Sequence, residues 1–530
     1  MGTNIKYFLF PWFVLILFST FSKTLCLDQT YDAFSKCLQN QTISPANIST
    51  ILYSAQTPNF NSVLLAYIRN LRFTLPTTPK PQLIITPLNP SQVSAAVICA
   101  RNLGHQVKIR SGGHDYDGLS YTSEHPFIIL DMQNLRRIDV DPKAGTAYVE
   151  AGSTLGELYY RIHEKTNTFG FPAGVCPTVG VGGHISGGGY GNMIRKYGLS
   201  VDHIIDATVV DAQGKILNRK TMGDDLFWAI RGGGGASFAV VVSFTFNLVP
   251  VPETVTVFNI ERYLSDNATE LVYKWQTLMQ DIDYNLFIRL LIQPVNDPII
   301  KNKKTGRATF IALYLGNSKD LFSLLSTKFP ELGLKKEDCL EMSWINSALY
   351  WANFDNTTKP EVLLNRTFTA NYNKRKSDYV TTPITTAGLN LMWQKLITLE
   401  QVGMVFNSYG GRMNEIPATD TPMPHRKGSF YKIQYSDSWK EPGTAANDKH
   451  LGLIRELHTF MTPYVSKNPR GAYLNYRDID IGVSHNWTYQ QGEVYGRQYF
   501  MGNFDRLVKV KTLVDPTNFF RNEQSIPVQK

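Results

Sequence analysis

The sequence predicts an α+β fold in two domains, and three observations carry that expectation. Up to about Pro250, short β-type runs (Val107-Lys108-Ile109, Phe127 to Leu130, Ala147 to Glu150) alternate with helical patterns. Val249-Pro250-Val251-Pro252 then interrupts the chain. Beyond it, Val255 to Ile260, Leu286 to Ile292 and Ala308 to Leu315 read as strands of an antiparallel sheet, with helical stretches at 268–281 and 318–329 between them. At 530 residues the chain can bury two sizeable cores.

Taken in order, residues 1 to about 26 read as a secretory signal. Lys6 gives the positive start, Tyr7 to Phe21 the apolar stretch, and Leu25-Cys26-Leu27 the cleavage region. A signal anchor is the alternative, but the apolar run is short for a bilayer span, and no second stretch of membrane length follows. From Thr30 to Asn70 the pattern is helical, with Ala33, Phe34 and Cys37 on one face. A proline-rich connection over 75–90 leads into Leu83-Ile84-Ile85, and Pro90 to Arg101 reads as a helix stopped near Gly104. Thr154 to Lys165 and Asp505 to Val514 are further helices. In the strand Phe430 to Tyr435, Tyr431, Ile433 and Tyr435 face one way and Lys432 and Gln434 the other. Such a polar face is either solvated or the floor of a polar site.

Composition bounds the function. Hydrophobic content of 43% and aromatic content of 12% describe a folded globular chain. The net charge of +9 falls to about +7 once Lys6 and Lys23 leave with the signal. No Lys/Arg cluster interleaved with aromatics accompanies it, so nucleic acid is not an expected partner. A basic surface suited to an acidic, polyanion-rich compartment is the milder reading. Six N-x-Ser/Thr sequons, at Asn40, Asn47, Asn267, Asn356, Asn365 and Asn486, fit a secreted glycoprotein. The cysteines form no CxxC pair, so no metal site is expected. Cys339 is expected as a buried thiol packing like a small apolar side chain.

The chemistry concentrates in glycine-rich turns. Gly174 to Gly191, GVCPTVGVGGHISGGGYG, holds Cys176 in a loop where backbone amides can approach a ligand. Lys108 to Tyr121, KIRSGGHDYDGLSY, places His114 in a second such turn, and Arg231 to Gly235 makes a third. None has the Rossmann GxGxxG spacing with its acidic residue, so that dinucleotide fold is not predicted. Loops that merely turn sharply against neighbouring strands are the alternative. Three turns, two presenting His and Cys, point to an extended phosphate-bearing cofactor held at several places.

RSGGHDYDGLSY and GVCPTVGVGGHISGGGYGNMIRKYG resemble the two flavin-attachment motifs of the plant berberine bridge enzyme-like family, within the vanillyl-alcohol-oxidase type of FAD oxidoreductases. The resemblance runs on to YLNYRDIDIG and LVDPTNFFRNEQSIP near the C-terminus. It implies a PCMH-type FAD-binding domain over 27–250 (core about 75–250) and a substrate domain over 251–460. That second domain would be an antiparallel sheet covered by helices on one side, its open face over the flavin. Residues 461–530 would return to the first domain. It further implies FAD attached twice, through His114 to the 8α-methyl and through Cys176 to C6. Arg110, Ser111, Gly112, Gly113, Gly180, Gly183, His184, Gly187 and Asn475 would surround the cofactor, and Cys37 would pair with Cys99 in an oxidising lumen. Read without the motifs, His114 is a turn histidine bonded to backbone and Cys176 a structural thiol. Attachment tunes a flavin's chemistry, here by raising its potential and holding it without a lid.

Alcohol oxidation by such a cofactor needs a base for the hydroxyl proton, and Tyr476 is the expected one. A free tyrosine titrates near pH 10, so a neighbouring cation must favour its phenolate. Lys432, facing the cavity with Gln434, is the expected cation, and Tyr116 and Tyr190 are expected to line the pocket. All of these tyrosines also read as packing residues. Members that close a C–C bridge on alkaloids carry a glutamate near position 434, where this chain has Gln434. The pattern is similar to members that oxidise primary alcohols or sugar hydroxyls. Val179 stands where the family controls oxygen access, and valine is compatible with O2 as acceptor.

The expected protein is thus a secreted, monomeric FAD oxidase of a monolignol-type alcohol or a mono- or oligosaccharide. It would produce hydrogen peroxide in the cell wall, with the vacuole as the alternative compartment. An oxidase or oxidative cyclase of specialised metabolism (alkaloid, cannabinoid-like or phenolic substrate) and a flavoprotein scaffold without turnover are the competing readings.

Overall fold

The computed structural model describes residues 29–529, so the expected signal segment lies outside the described residues. The fold is α+β. The N-terminal region is not one helical run but three helices, 29–40, Pro45–Ile51 and Phe60–Leu65. Thr42, at φ 67°, turns the chain, and Ser44 caps the next helix ahead of Pro45 at its first position. Cys37 is disulfide-bonded to Cys99, which ties the first helix to the helix Pro90–Asn102.

Two small sheets follow. One has the order Leu52–Tyr53, Ile84–Ile85, Phe127–Asp131, Gln106–Arg110, with its last three strands parallel. The other is antiparallel, in the order Ile138–Asp141, Thr146–Glu150, Val240–Asn247, Ile204–Val210, Ile216–Leu217. The helix Leu155–Lys165 opens with a full capping box between Thr154 and Glu157. The three glycine turns emerge around these sheets.

The remaining sheet has seven antiparallel strands, ordered Leu340–Met342, Val255–Tyr263, Lys304–Tyr314, Leu286–Asn296, Gly403–Ser408, Tyr431–Trp439, Tyr372–Val380. Strand alternation sorts its faces. Ile288, Leu290, Ile292, Phe406, Tyr431, Ile433 and Tyr435 join Trp275, Trp393 and Ile454 of three covering helices in one apolar core. Lys432 and Gln434 point to the opposite, open face, as the sequence alternation predicts. Cys339 corrects the expectation made for it: it is half-buried at the edge of that core. The six sequon asparagines are all exposed. After residue 460 the chain returns to the N-terminal sheets, where the helices Tyr489–Phe500 and Phe504–Val514 pack beside Arg219–Ile230. Among the described residues no helix is long and apolar enough to cross a membrane.

Candidate active site

A cleft of about 390 Å³ runs from the glycine turns to the open face of the large sheet. Two of the turns interlock: a Cβ on Gly112 would collide with the amide nitrogen of Gly180. Gly183 is the reverse case, exposed to the cleft with nothing within 4 Å of where its Cβ would stand. Of the catalytic and cofactor-binding residues expected from the sequence, all line this cleft except Arg110 and Lys432.

Arg110 is a correction. It is the last residue of a strand, and its fully buried guanidinium turns inward to Asp131 (3.0 and 2.5 Å) and to the carbonyls of Val63 and Leu64. It anchors the strand that delivers the His114 turn and does not face the cleft.

His114 and Cys176 stand on the two interlocked loops. The His114 Nε2 lies 3.0 Å from the Thr178 hydroxyl, two residues beyond Cys176, and the Phe368 ring packs edge-on against the imidazole at 5.1 Å. Burial, reinforced by the charge of Arg69, lowers the His114 pKa to about 3. The imidazole is therefore neutral and nucleophilic. Cys176 is a free thiol exposed to the cleft. The surrounding wall raises its pKa, with Arg289 and Arg375 acting in the opposite direction. His184 accepts from the Gly174 amide at 3.2 Å, and Asn475 donates to the His184 carbonyl at 2.8 Å.

Tyr116, Tyr190, Tyr473, Tyr476 and Gln434 form the polar wall. Tyr190 and Tyr476 share a short hydrogen bond through their hydroxyls. Gln434 donates to the Tyr116 hydroxyl at 2.8 Å, and the Tyr116 and Tyr476 rings lie 5.6 Å apart. Burial raises the pKa values of Tyr116, Tyr190 and Tyr476 alike, so each is a neutral phenol at rest.

Lys432 is the second correction. Its fully buried Nζ sits behind the wall, over the ring faces of Tyr190, Tyr473 and Tyr476 at 3.2, 3.6 and 4.5 Å from their centroids. It has no hydrogen-bond partner among the described residues. Burial, and then the nearby charge of Arg289, drive its pKa well below the usual value. It touches the tyrosines through their π faces, not their oxygens.

The cation whose charge bears on both tyrosines is Arg289, inside an apolar strand. It lines the cleft, donates from Nε to Asn407 Oδ1 at 2.8 Å, and opposes the burial that raises the pKa of both Tyr190 and Tyr476. Cross-strand register explains the placement, because Arg289, Asn407 and Lys432 form one row across three strands. Leu291, Val405 and Gln434 form the next row. Beyond it Gly403, Ser436 and Arg375 continue the same face, half-buried and polar.

Ion pairs flank the two tyrosines that face each other. Arg477 meets Asp115 at 3.1 Å, and Lys374 bridges Asp117 and Asp478. The Asp115-Tyr116-Asp117 turn is thus held against Tyr476-Arg477-Asp478 on both sides. Among the described residues no cluster of His, Cys, Asp and Glu could hold a metal.

Comparison with known proteins agrees with this layout. Residues 81–219 match the family model described as an FAD binding domain, and residues 472–527 match that described as berberine and berberine like. The chain is 54% identical to berberine bridge enzyme-like 21 of Arabidopsis thaliana over 532 aligned residues, covering 99% of this chain and 98% of that relative. Phl p 4, a grass pollen allergen with glucose dehydrogenase activity, superposes with a TM-score of 0.88 at 44% identity, covering 94% of this chain and 99% of the other. An isoleucine-to-valine variant of Phl p 4, described as a glucose oxidase, superposes with a TM-score of 0.87 at the same identity and coverage. The cleft fits FAD: two glycine turns present their backbone to it, Gly183 leaves room beside them, and an imidazole and a thiol face the same space.

Proposed function

Because the chain belongs to the berberine bridge enzyme-like family of FAD-linked oxidoreductases, we propose that it oxidises a hydroxyl group of a mono- or oligosaccharide and passes the electrons to O2. His114 and Cys176 would hold the cofactor covalently. When bound, FAD supplies the acceptor for the hydride and the route by which its electron pair reaches dioxygen.

The chain's own residues do the rest. Tyr476, coupled to Tyr190, takes the hydroxyl proton in its phenolate form as the C–H bond breaks. Arg289 stabilises that phenolate before it accepts the proton, since its charge opposes the burial that raises the pKa of both tyrosines. Tyr116, held by Gln434, offers a hydroxyl that orients the substrate. Lys432 braces the three ring faces from behind.

The observation that carries the sugar reading is the open sheet face beyond Gln434. Gly403 puts no side chain on this floor and Ser436 supplies a hydroxyl, as a chain of hydroxyls needs and a flat phenylpropanoid does not; Arg375, bonded to the Lys374 and Asp437 carbonyls and to Ser438, lies 5.9 Å from the Tyr116 ring. The glucose-oxidising neighbours support the same choice. Val179, half-buried in the cleft wall, supports O2 as acceptor. Six exposed sequons support secretion as a glycoprotein.

A peroxide assay over panels of mono- and oligosaccharides, cinnamyl alcohols and alkaloids tests the proposal. Turnover confined to the sugars is expected. Turnover with cinnamyl alcohols alone would replace the substrate class, and no turnover with any panel would favour a scaffold role.

A further inference from the structure

We propose that Thr178 is a positioning residue for His114: it sets the imidazole so that Nδ1 is the nitrogen that bonds the cofactor, while Cys176 bonds independently of it. The inference rests on reading His114 and Cys176 as the attachment points.

A neutral imidazole carries one N–H and one lone pair, and attachment needs the lone pair on the nitrogen facing the cofactor. The Nε2 of His114 lies 3.0 Å from the Thr178 hydroxyl. With Nε2–H donating to that hydroxyl, the lone pair stands on Nδ1. Phe368, edge-on at 5.1 Å, and the guanidinium of Arg69, whose charge bears on the ring, keep the imidazole neutral and fixed. Thr178 itself is buried, with 8% of its surface exposed, on the loop that carries Cys176. The loop that carries the thiol thus also holds the imidazole, across the interlock of Gly112 with Gly180.

The hydroxyl can also reverse its role once the bond has formed. Attachment forms a bond from Nδ1 to the 8α carbon, breaks a C–H bond there, and releases that proton and the Nε2 proton. The two electrons pass through the bound flavin to dioxygen, which takes them up with two protons as hydrogen peroxide. Afterwards Nε2 bears a lone pair and needs a donor. The Thr178 hydroxyl rotates and donates. Thr178 therefore serves the ring before and after the bond forms, and serine would do the same.

Peptide mass spectrometry on digests of the purified holoenzyme tests this, since it reads each link separately and needs no activity. Thr178→Val keeps the shape of the side chain and removes the hydroxyl. The expected result is a fall of at least fivefold in flavin on the His114 peptide, with the Cys176 peptide modified as in the wild type. Thr178→Ser is expected to retain both links. Retention of both links in Thr178→Val, or equal loss of both, overturns the proposal, as does failure of Thr178→Ser to retain the His114 link. A wild-type His114 peptide without flavin would instead overturn the attachment reading on which the proposal rests.

Discussion

Lys374 Nζ lies 2.7 Å from Asp117 Oδ2, a buried ion pair that joins the turn carrying Tyr116 to an edge strand of the large sheet. The same ammonium lies 2.8 Å from Asp478, two residues past Tyr476, and Lys376 completes the cluster by pairing Asp478 and Asp480 at 2.5 and 2.9 Å. Three chain segments that are distant in sequence meet in this cluster. A buried pair contributes little over a well-packed apolar substitute, but removing one partner strands the other charges.

Lys374→Met is therefore expected to lower stability by about 3–5 kcal/mol, because Asp117 and Asp478 lose a shared counter-ion in the interior. Chemical denaturation of the purified variant measures it. An unchanged midpoint would show that the clasp does not hold the segments together.

Tyr476 and Arg289 make a pH prediction. Burial holds the Tyr476 pKa well above its ordinary value, so its phenolate fraction rises tenfold per pH unit through neutrality. The kcat/KM is expected to climb from pH 6 to pH 9 in the wild type. Arg289→Met, which removes the charge that favours the phenolate, should displace that climb to higher pH. Tyr476→Phe should lose at least about 100-fold in kcat, in the range of general-base catalysis. A flat profile, or a tyrosine variant with full kcat, would assign the base elsewhere.

The stability of the fold should fall in mild acid. His184, His425 and His458 are buried and neutral, with pKa values lowered to about 3, 4 and 2 by burial first. An unfolded chain protonates these residues near pH 6.5, so below that pH the unfolded state binds more protons and stability decreases. Each contributes at most about 1.4 kcal/mol per pH unit. Urea midpoints should drop between pH 7.5 and pH 5, above the window where carboxylates titrate. A midpoint constant over that interval would refute the account of these histidines.

Gly183 separates folding from cofactor binding. A Cβ there meets no protein atom within 4 Å, so Gly183→Ala should fold as the wild type does, and Gly183→Val is expected to fold likewise. It would still intrude on the cleft, and flavin content per purified chain should fall. Full occupancy would place the cofactor away from this turn.

Much of this was legible in the sequence, and the omissions have physical causes. The glycine turns declare themselves by composition, and alternation in Phe430 to Tyr435 separates the core face from the cleft face. Direction is harder to read than proximity. Arg110 adjoins the cofactor turn in sequence, yet its side chain leaves the strand toward Asp131. Arg289 is hidden in an apolar strand, because only cross-strand register shows that it shares a row with Asn407 and Lys432. No local pattern in YNKRKSDYV marks Tyr372–Val380 as a strand. Its Lys374, Lys376 and Asp378 are paired with Asp117, Asp478, Asp480 and Arg470, all distant in sequence, which no local pattern reveals. Lys432 was placed on the correct face, but only the fold shows three aromatic rings between it and the cleft.

The most direct test of the central claim is an absorption spectrum of the protein after acid precipitation. The account predicts flavin colour in the washed pellet, part of it surviving in His114→Ala and in Cys176→Ala, and none in the double variant. Flavin that washes free of the wild-type pellet would contradict covalent attachment at either residue.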